Sequence, residues 1–359
     1  MLELENISIL PTTVNSGNLM QSKFNFGVQD IEPSLPIFTS PMEAVVGIEN
    51  YKIWQDAGIR PILPRTVPID VRLEASCYIF AAFSKEEVKQ HFLMSNRRNI
   101  NSMFRICIDS GNGHDSEVLS IGKELKRAYG PQVLLMGGNI GNPKTYIEYC
   151  KNEFDYVRVG LSSGSLVDSD KYGFSYPIPS LLIDINNLKA TAAINLKQTK
   201  IIVDGGIRTH SDIIKCIALG ADYVMIGREF ARLVEANGNI YKEVFDNKIK
   251  STILEIQDKN ELISLTPESL RRMELVRIYK GNTSYETQAE RAGFESVEDW
   301  QTDLKCKKKP VDSRCDNVNV VSNLKSWLED MYECFNYAFI MTSSVDWRSF
   351  KNNAKYITL

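Results

Sequence analysis

The sequence predicts an α/β fold of the (β/α)8 barrel type, with a C-terminal extension behind it. Three observations support this. Eight short apolar runs alternate with amphipathic stretches. Most of these runs end in Gly, Pro, Ser or Asp, as parallel strands buried on both faces do. The 359 residues are enough for one barrel plus an extension. The rival fold, a doubly wound open sheet, calls for a strand–Gly-x-Gly-x-x-Gly–helix unit near the start, and the sequence has none there.

Taken in order, the expected strands are Ile37–Thr39, Arg60–Leu63, Cys77–Ala82, Phe104–Ile108, Val133–Met136, Tyr156–Val159, Lys200–Val203 and Tyr223–Ile226. Helical spacing lies between them. Glu43–Asp56 carries Val45, Val46, Ile48, Tyr51 and Ile53 in a helical pattern. Lys85–Met94 follows Ser84, a natural N-cap. Ser116–Tyr129 spaces Val118, Leu119, Ile121 and Leu125 as a helix would, and Pro143–Cys150 opens on a proline suited to a first turn. Ser211–Leu219 ends at Gly220, a fitting C-cap.

Beyond residue 240 the texture changes. Tyr241–Lys250 reads as a charged helix, Ser251–Arg277 as a mixed linker and Tyr279–Thr283 as a loop. Thr302–Asn317 is polar and basic, with Lys307, Lys308 and Lys309 in a row. The stretch 279–317 is therefore expected to be a mobile flap over the barrel mouth, with a solvated surface excursion as the alternative. Val318–Met331 reads as a helix, followed by a tail to Leu359. A single domain, 1–359, is expected.

Composition excludes several classes of function. Hydrophobic residues make up 43% and charged residues 24%, which rules out wholesale disorder. Forty-two basic residues against 45 acidic ones, net charge -3, argue against nucleic acid as a partner. No run of about 18 apolar residues occurs, so no membrane span is expected. The acidic start, Met1–Asn6, has no secretory apolar core. Seven scattered cysteines without a Cys-x-x-Cys pair fit reduced thiols and a cytoplasmic location. His91, His114 and His210 lie far apart, so no metal site is expected.

Barrels build their active sites at the C-terminal strand ends. The residues there are Ser40-Pro41-Met42, Pro64-Arg65, Asp109-Ser110-Gly111, Gly137-Gly138-Asn139, Gly160 through Ser165, Asp204-Gly205-Gly206 and Gly227-Arg228. Glycine turns offer bare N–H groups to an anion, and the loops after the seventh and eighth strands are where barrels commonly hold phosphate. Arg228 adds a fixed fork for phosphate oxygens. Asp204 can accept hydrogen bonds from ribose hydroxyls. Asp109 and Asn139 can hydrogen-bond a second, flatter ligand, or simply cap turns.

These motifs resemble the IMP dehydrogenase / GMP reductase family. Phe38–Met42, Gly138-Asn139, Arg158–Ser165, Asp204–Ile207 with Ala218–Gly227, and Tyr279–Gly281 stand in the family's order. Lys171–Pro177 and the tail from Asn317 are similar to the GMP reductase branch, whereas Arg158 is more like the dehydrogenase branch. The regulatory domain often inserted in IMP dehydrogenases has no room here. The resemblance implies a homo-tetrameric (β/α)8 barrel acting on a purine nucleoside monophosphate with NADP(H) or NAD(H), and a monovalent cation besides. It places the phosphate and ribose at Ser165, Asp204, Gly206, Gly227, Arg228 and Tyr279. It places the base at Ser40, Met42, Asn282 and Thr283, and the nicotinamide side at Asp109, Asn139, Arg158 and Gly160.

The departures concern chemistry. The family's nucleophile is a Cys in a Gly-Ser-x-Cys-Thr-Thr loop, and this chain reads Gly164-Ser165-Leu166-Val167-Asp168-Ser169. Val167 cannot attack a purine C2 as a thiolate does. The reductase's flap Glu falls at Arg314, and the Lys after the second strand is Arg65. Candidate replacements are Asp168 as base or nucleophile, Ser169 as a polar contact, and Cys315 beside a lysine-rich run that would lower its pKa. Two functions are therefore expected to compete. One is a divergent purine-nucleotide oxidoreductase; the other is a catalytically altered or inactive nucleotide-binding homologue. An aldolase would want a Schiff-base lysine at a strand end, and the sequence offers none.

Overall fold

The computed structural model describes residues 3–12, 24–28, 34–94, 103–161, 173–191, 199–246, 250–256, 258–281, 284–291, 293–294, 296–302 and 315–359, with backbone alone at 243–246, 250–253 and 290–291. A first strand, β1 (Ile7–Leu10), lies outside the barrel and pairs antiparallel with the C-terminal strand Lys355–Thr358.

The eight apolar runs then pair in parallel as β2 (Ile37–Thr39), β3 (Ile62–Leu63), β4 (Phe80–Phe83), β5 (Phe104–Ile108), β6 (Val133–Ile140), β7 (Tyr156–Val159), β8 (Lys200–Asp204) and β9 (Tyr223–Ile226). Their spatial order is β2-β9-β8-β7-β6-β5-β4-β3. The ring closes through a parallel bridge between Phe38 and Arg60, where Thr39 N donates to Arg60 O at 2.9 Å and Arg60 N to Ile37 O at 3.0 Å. This is a (β/α)8 barrel.

Alternation along each strand sorts the side chains into two layers. Phe38, Ile62, Phe80, Ala82, Cys107, Met136, Tyr156, Ile202, Tyr223 and Met225 fill the interior. Phe38 meets Phe80, Tyr156 and Tyr223 edge to face, with centroids 5.1–6.0 Å apart. The other strand face packs the helices, as Leu125, Leu135 and Tyr149 do. Among the described residues, no helix is long and apolar enough to cross a membrane.

Several local expectations need correction. The helix expected over Glu43–Asp56 starts only at Tyr51. Asn50 takes the turn's backbone groups: its Oδ1 accepts from Gly47 N at 2.8 Å, and its Nδ2 donates to Val45 O at 3.0 Å. Cys77 and Tyr78 are not strand residues. They close the turn after the helix Ile69–Ala75, and the strand begins at Phe80. The helix over Lys85–Met94 is α-helical only to Val88, and Lys89–Leu93 is wound as a π-helix. The helix Ile178–Thr191 had no counterpart in the sequence reading.

The largest correction lies beyond residue 240. The expected charged helix and linker form an antiparallel sheet of β10 (Ile240–Asp246), β11 (Lys250–Ile256), β12 (Leu275–Lys280) and β13 (Cys315–Asn319), ordered β11-β10-β12-β13. Tyr279 and Lys280 are strand residues rather than loop. Val318 and Asn319 belong to β13, and the helix expected at Val318 runs over Leu324–Met341. Both ends of the expected 279–317 flap are therefore paired strands; residues 303–314 lie outside the described residues. Val234, Ile240, Leu262, Leu270, Leu275 and Val320 form a small core of their own beside this sheet, while Tyr279 and Val318 join the main core around the barrel.

Candidate functional site

Strand parity selects the residues at the barrel mouth. Phe38, Cys107, Tyr156, Ile202 and Met225 point inward. Two residues further along each chain come Ser40, Asp109, Arg158, Asp204 and Gly227, which the same alternation aims at the C-terminal opening.

One group gathers around Arg158, whose side chain is only 4% exposed. Its Nη2 donates to Asp109 Oδ1 at 3.1 Å and to Gly138 O at 3.2 Å, and its Nη1 stands 4.0 Å from Asp204 Oδ2. Asn139 Nδ2 donates to the same Asp204 oxygen at 2.9 Å. Arg158 Nε is buried without a hydrogen-bond partner. Burial pushes the Asp204 carboxyl above the usual carboxylate range; Arg158 and Asn139 oppose that, and Asp109 adds to it. Below this group, burial pushes the Cys107 thiol up to about 12, which leaves it protonated and inert.

A second group surrounds Gly227. A methyl group there would lie 2.5 Å from Tyr279 Oη and 3.3 Å from both Met42 Sδ and Ser40 Cβ. The Tyr279 hydroxyl points at Met42 Sδ, 3.1 Å away. Burial pushes that hydroxyl's pKa up, with Asp204 adding and Arg228 opposing. Gly205 and Gly206 follow β8 with φ of +92° and +78°, a conformation that bares successive N–H groups.

Residues 90–252 match the IMP dehydrogenase / GMP reductase domain model. Over that stretch the chain is similar to the IMP dehydrogenase / GMP reductase family. GMP reductase of Staphylococcus carnosus is 34% identical over 148 residues, which cover 39% of this chain and 43% of that protein. GMP reductase of Staphylococcus epidermidis RP62A is 28% identical over 262 residues, covering 68% and 78%. Inosine-5'-monophosphate dehydrogenase of Chlorobaculum parvum is 33% identical over 133 residues, covering 37% and 26%. The match thus spans less than half the length of the Staphylococcus carnosus relative.

The structure brings together Ser40, Met42, Gly227 and Tyr279 as one cluster, and Asp109, Asn139, Arg158 and Asp204 as another. Gly160 sits beside them at the end of β7, its N–H donating to Ile140 O at 2.9 Å. Arg228 follows Gly227 and faces Asp316 across 3.1 Å. Cys315 is a partly exposed residue of β13 paired with Lys280, whereas Tyr279 pairs with Asp316. Paired residues share a face and successive ones alternate, so Cys315 stands on the face opposite Tyr279. Ser165, Asp168, Ser169, Asn282 and Thr283 lie outside the described residues.

His114 is an internal tie. Its Nε2 accepts from Gly141 N at 3.0 Å and its Nδ1 lies 2.8 Å from Thr145 Oγ1, while burial lowers its pKa and keeps it neutral. Arg277 was missed in the sequence. Fully buried, it donates to the carbonyls of Ala231, Leu233, Val234 and Ala236, and so fastens β12 to the segment after β9. The alternation Leu275, Arg277, Tyr279 on one face of β12 was the available signal.

Proposed function

We propose that this chain binds a purine nucleoside 5′-monophosphate and acts as a divergent oxidoreductase of the GMP reductase / IMP dehydrogenase type. The observation that carries this reading is the meeting of two clusters at one barrel mouth, Gly227-Ser40-Met42-Tyr279 and Arg158-Asp109-Asn139-Asp204. In this reading the phosphate lies on the bare N–H groups of Gly206 and Gly227, with Ser165, Arg228 and Tyr279 around it. Asp204 accepts from the ribose. Ser40 and Met42 flank the base, with Asn282 and Thr283 beyond it.

Asp109, Asn139, Arg158 and Gly160 form the side for NADP(H) or NAD(H). Their chemistry fits such a group: the Asp109 carboxylate is 11% exposed, and Arg158 keeps a spare Nε donor. A bound nicotinamide supplies or takes the hydride at the purine. The chain's own part is to orient the base and keep water out of the Tyr279 cluster. Arg158 holds a fixed positive charge beside the reacting groups. Asp168 is the candidate base or nucleophile, and Ser169 the candidate polar contact. A homo-tetramer, a monovalent cation and a cytoplasmic location belong to the same reading.

Val167 favours a second reading. Without a thiol at that position no covalent adduct to the base can form there, and the chain would then be a nucleotide-binding homologue that senses or sequesters its ligand. Thermal-shift titration with GMP, IMP and XMP, each with and without NADH or NADPH, separates the two, because a ligand of the folded state raises the melting temperature. Stabilisation by a monophosphate that rises further with a nicotinamide cofactor, together with cofactor turnover, supports the oxidoreductase. Stabilisation by nucleotide alone supports the binding protein. No shift with any nucleotide refutes both.

A further inference from the structure

We propose that Asp316 is a built-in competitor for the anion site, holding the Arg228 guanidinium that a ligand phosphate would take. This rests on the phosphate assignment above. Arg228 Nη1 donates to Asp316 Oδ2 at 3.1 Å across 88 residues of sequence. The contact is placed by structure on both sides. Arg228 directly follows Gly227, where an added methyl would meet Tyr279 and Ser40. Asp316 is the register partner of that same Tyr279 and shares its face of the sheet.

A carboxylate and a phosphate present a guanidinium with the same planar pattern of acceptors. They also repel each other, so the two anions cannot share one fork at full strength. The pair is half open to solvent, with side-chain exposures of 35% and 45%. An exposed pair is weak enough to exchange, so a dianionic phosphate displaces the single carboxylate. The linkage is reciprocal: whatever Asp316 takes from phosphate affinity, bound phosphate takes from the hold of Arg228 on β13.

The test is calorimetric titration of the full chain with GMP, and separately with inorganic phosphate, carried to millimolar ligand. Asp316→Asn is expected to tighten both ligands about two- to fivefold, the range an exposed ion pair allows. In an Arg228→Gln background binding is weaker, and adding Asp316→Asn is expected to give no further gain. An equal gain in both backgrounds would show a general charge effect and overturn the proposal. So would unchanged or weaker binding in Asp316→Asn while the unmutated chain binds GMP; the phosphate site would then stand without its competitor. An unmutated chain that binds neither ligand overturns the phosphate assignment as well.

Discussion

Replacing Arg158 by Met tests the electrostatics of the mouth. The guanidinium sits 3.1 Å from Asp109 and 4.0 Å from Asp204, and it also bonds Gly138 O. Two unit charges 4 Å apart attract by about 4 kcal/mol at an effective dielectric of about 20. Removing the cation forfeits two such attractions but also spares the cost of burying the guanidinium. The net loss should be about 3–5 kcal/mol, as for other buried pairs broken on one side. The loss should depend on pH. Asp204 already titrates above an ordinary carboxyl because of burial, and losing Arg158 raises it further. An acid with a raised folded pKa contributes stability that is fully present in acid and lost as pH climbs through that pKa. The variant's deficit should therefore be smallest near about pH 4, close to the unfolded value, and grow toward neutrality. Urea unfolding across a pH series measures it, and adding Asp204→Asn should recover part of the deficit at neutral pH. A deficit below about 1 kcal/mol, or one flat across pH, would refute the reasoning.

Two further outcomes follow from the structure. Gly227 has φ of -110°, so the backbone accepts alanine, but the new methyl would stand 2.5 Å from Tyr279 Oη. Gly227→Ala should weaken GMP binding tenfold or more at a stability cost of about 1–3 kcal/mol, read by calorimetry and urea unfolding; unchanged affinity would move the phosphate elsewhere. Glu87 accepts from both Nη atoms of buried Arg72, at 3.1 and 2.7 Å, and from Ser84 N at 2.7 Å. Burial pushes its carboxyl up, but these bonds outweigh burial and hold it below the usual range. Its stabilisation is present above the unfolded pKa and lost as pH falls through the folded one. Glu87→Gln should cost about 3 kcal/mol at neutral pH, with the gap closing in acid; an equal cost at both ends of a pH-dependent unfolding series would contradict this.

Local pattern determined the barrel. Ile37–Thr39, Phe104–Ile108, Tyr156–Val159 and Tyr223–Ile226 begin and end where their apolar runs do, because strands buried on both faces need unbroken apolar side chains. The helix Ser116–Tyr129 likewise follows its own spacing, starting at a real cap on Asp115. The same logic failed beyond residue 240, where β10 is charged along its length and its helical and strand periods are hard to tell apart. It failed at Glu43–Asn50 too, where one asparagine side chain outcompetes helical bonding. Sequence motifs named Ser40, Asp204, Gly227 and Tyr279 as possible neighbours, and strand parity explains why the first three face the mouth. The contacts between them came only with the tertiary fold. Tyr279 reaches Met42 across 237 residues, and Arg228 meets Asp316 across 88. Such meetings are set by barrel closure and by the packing of β12 under the Arg277 anchor, and a periodicity of two or 3.6 residues carries no record of them.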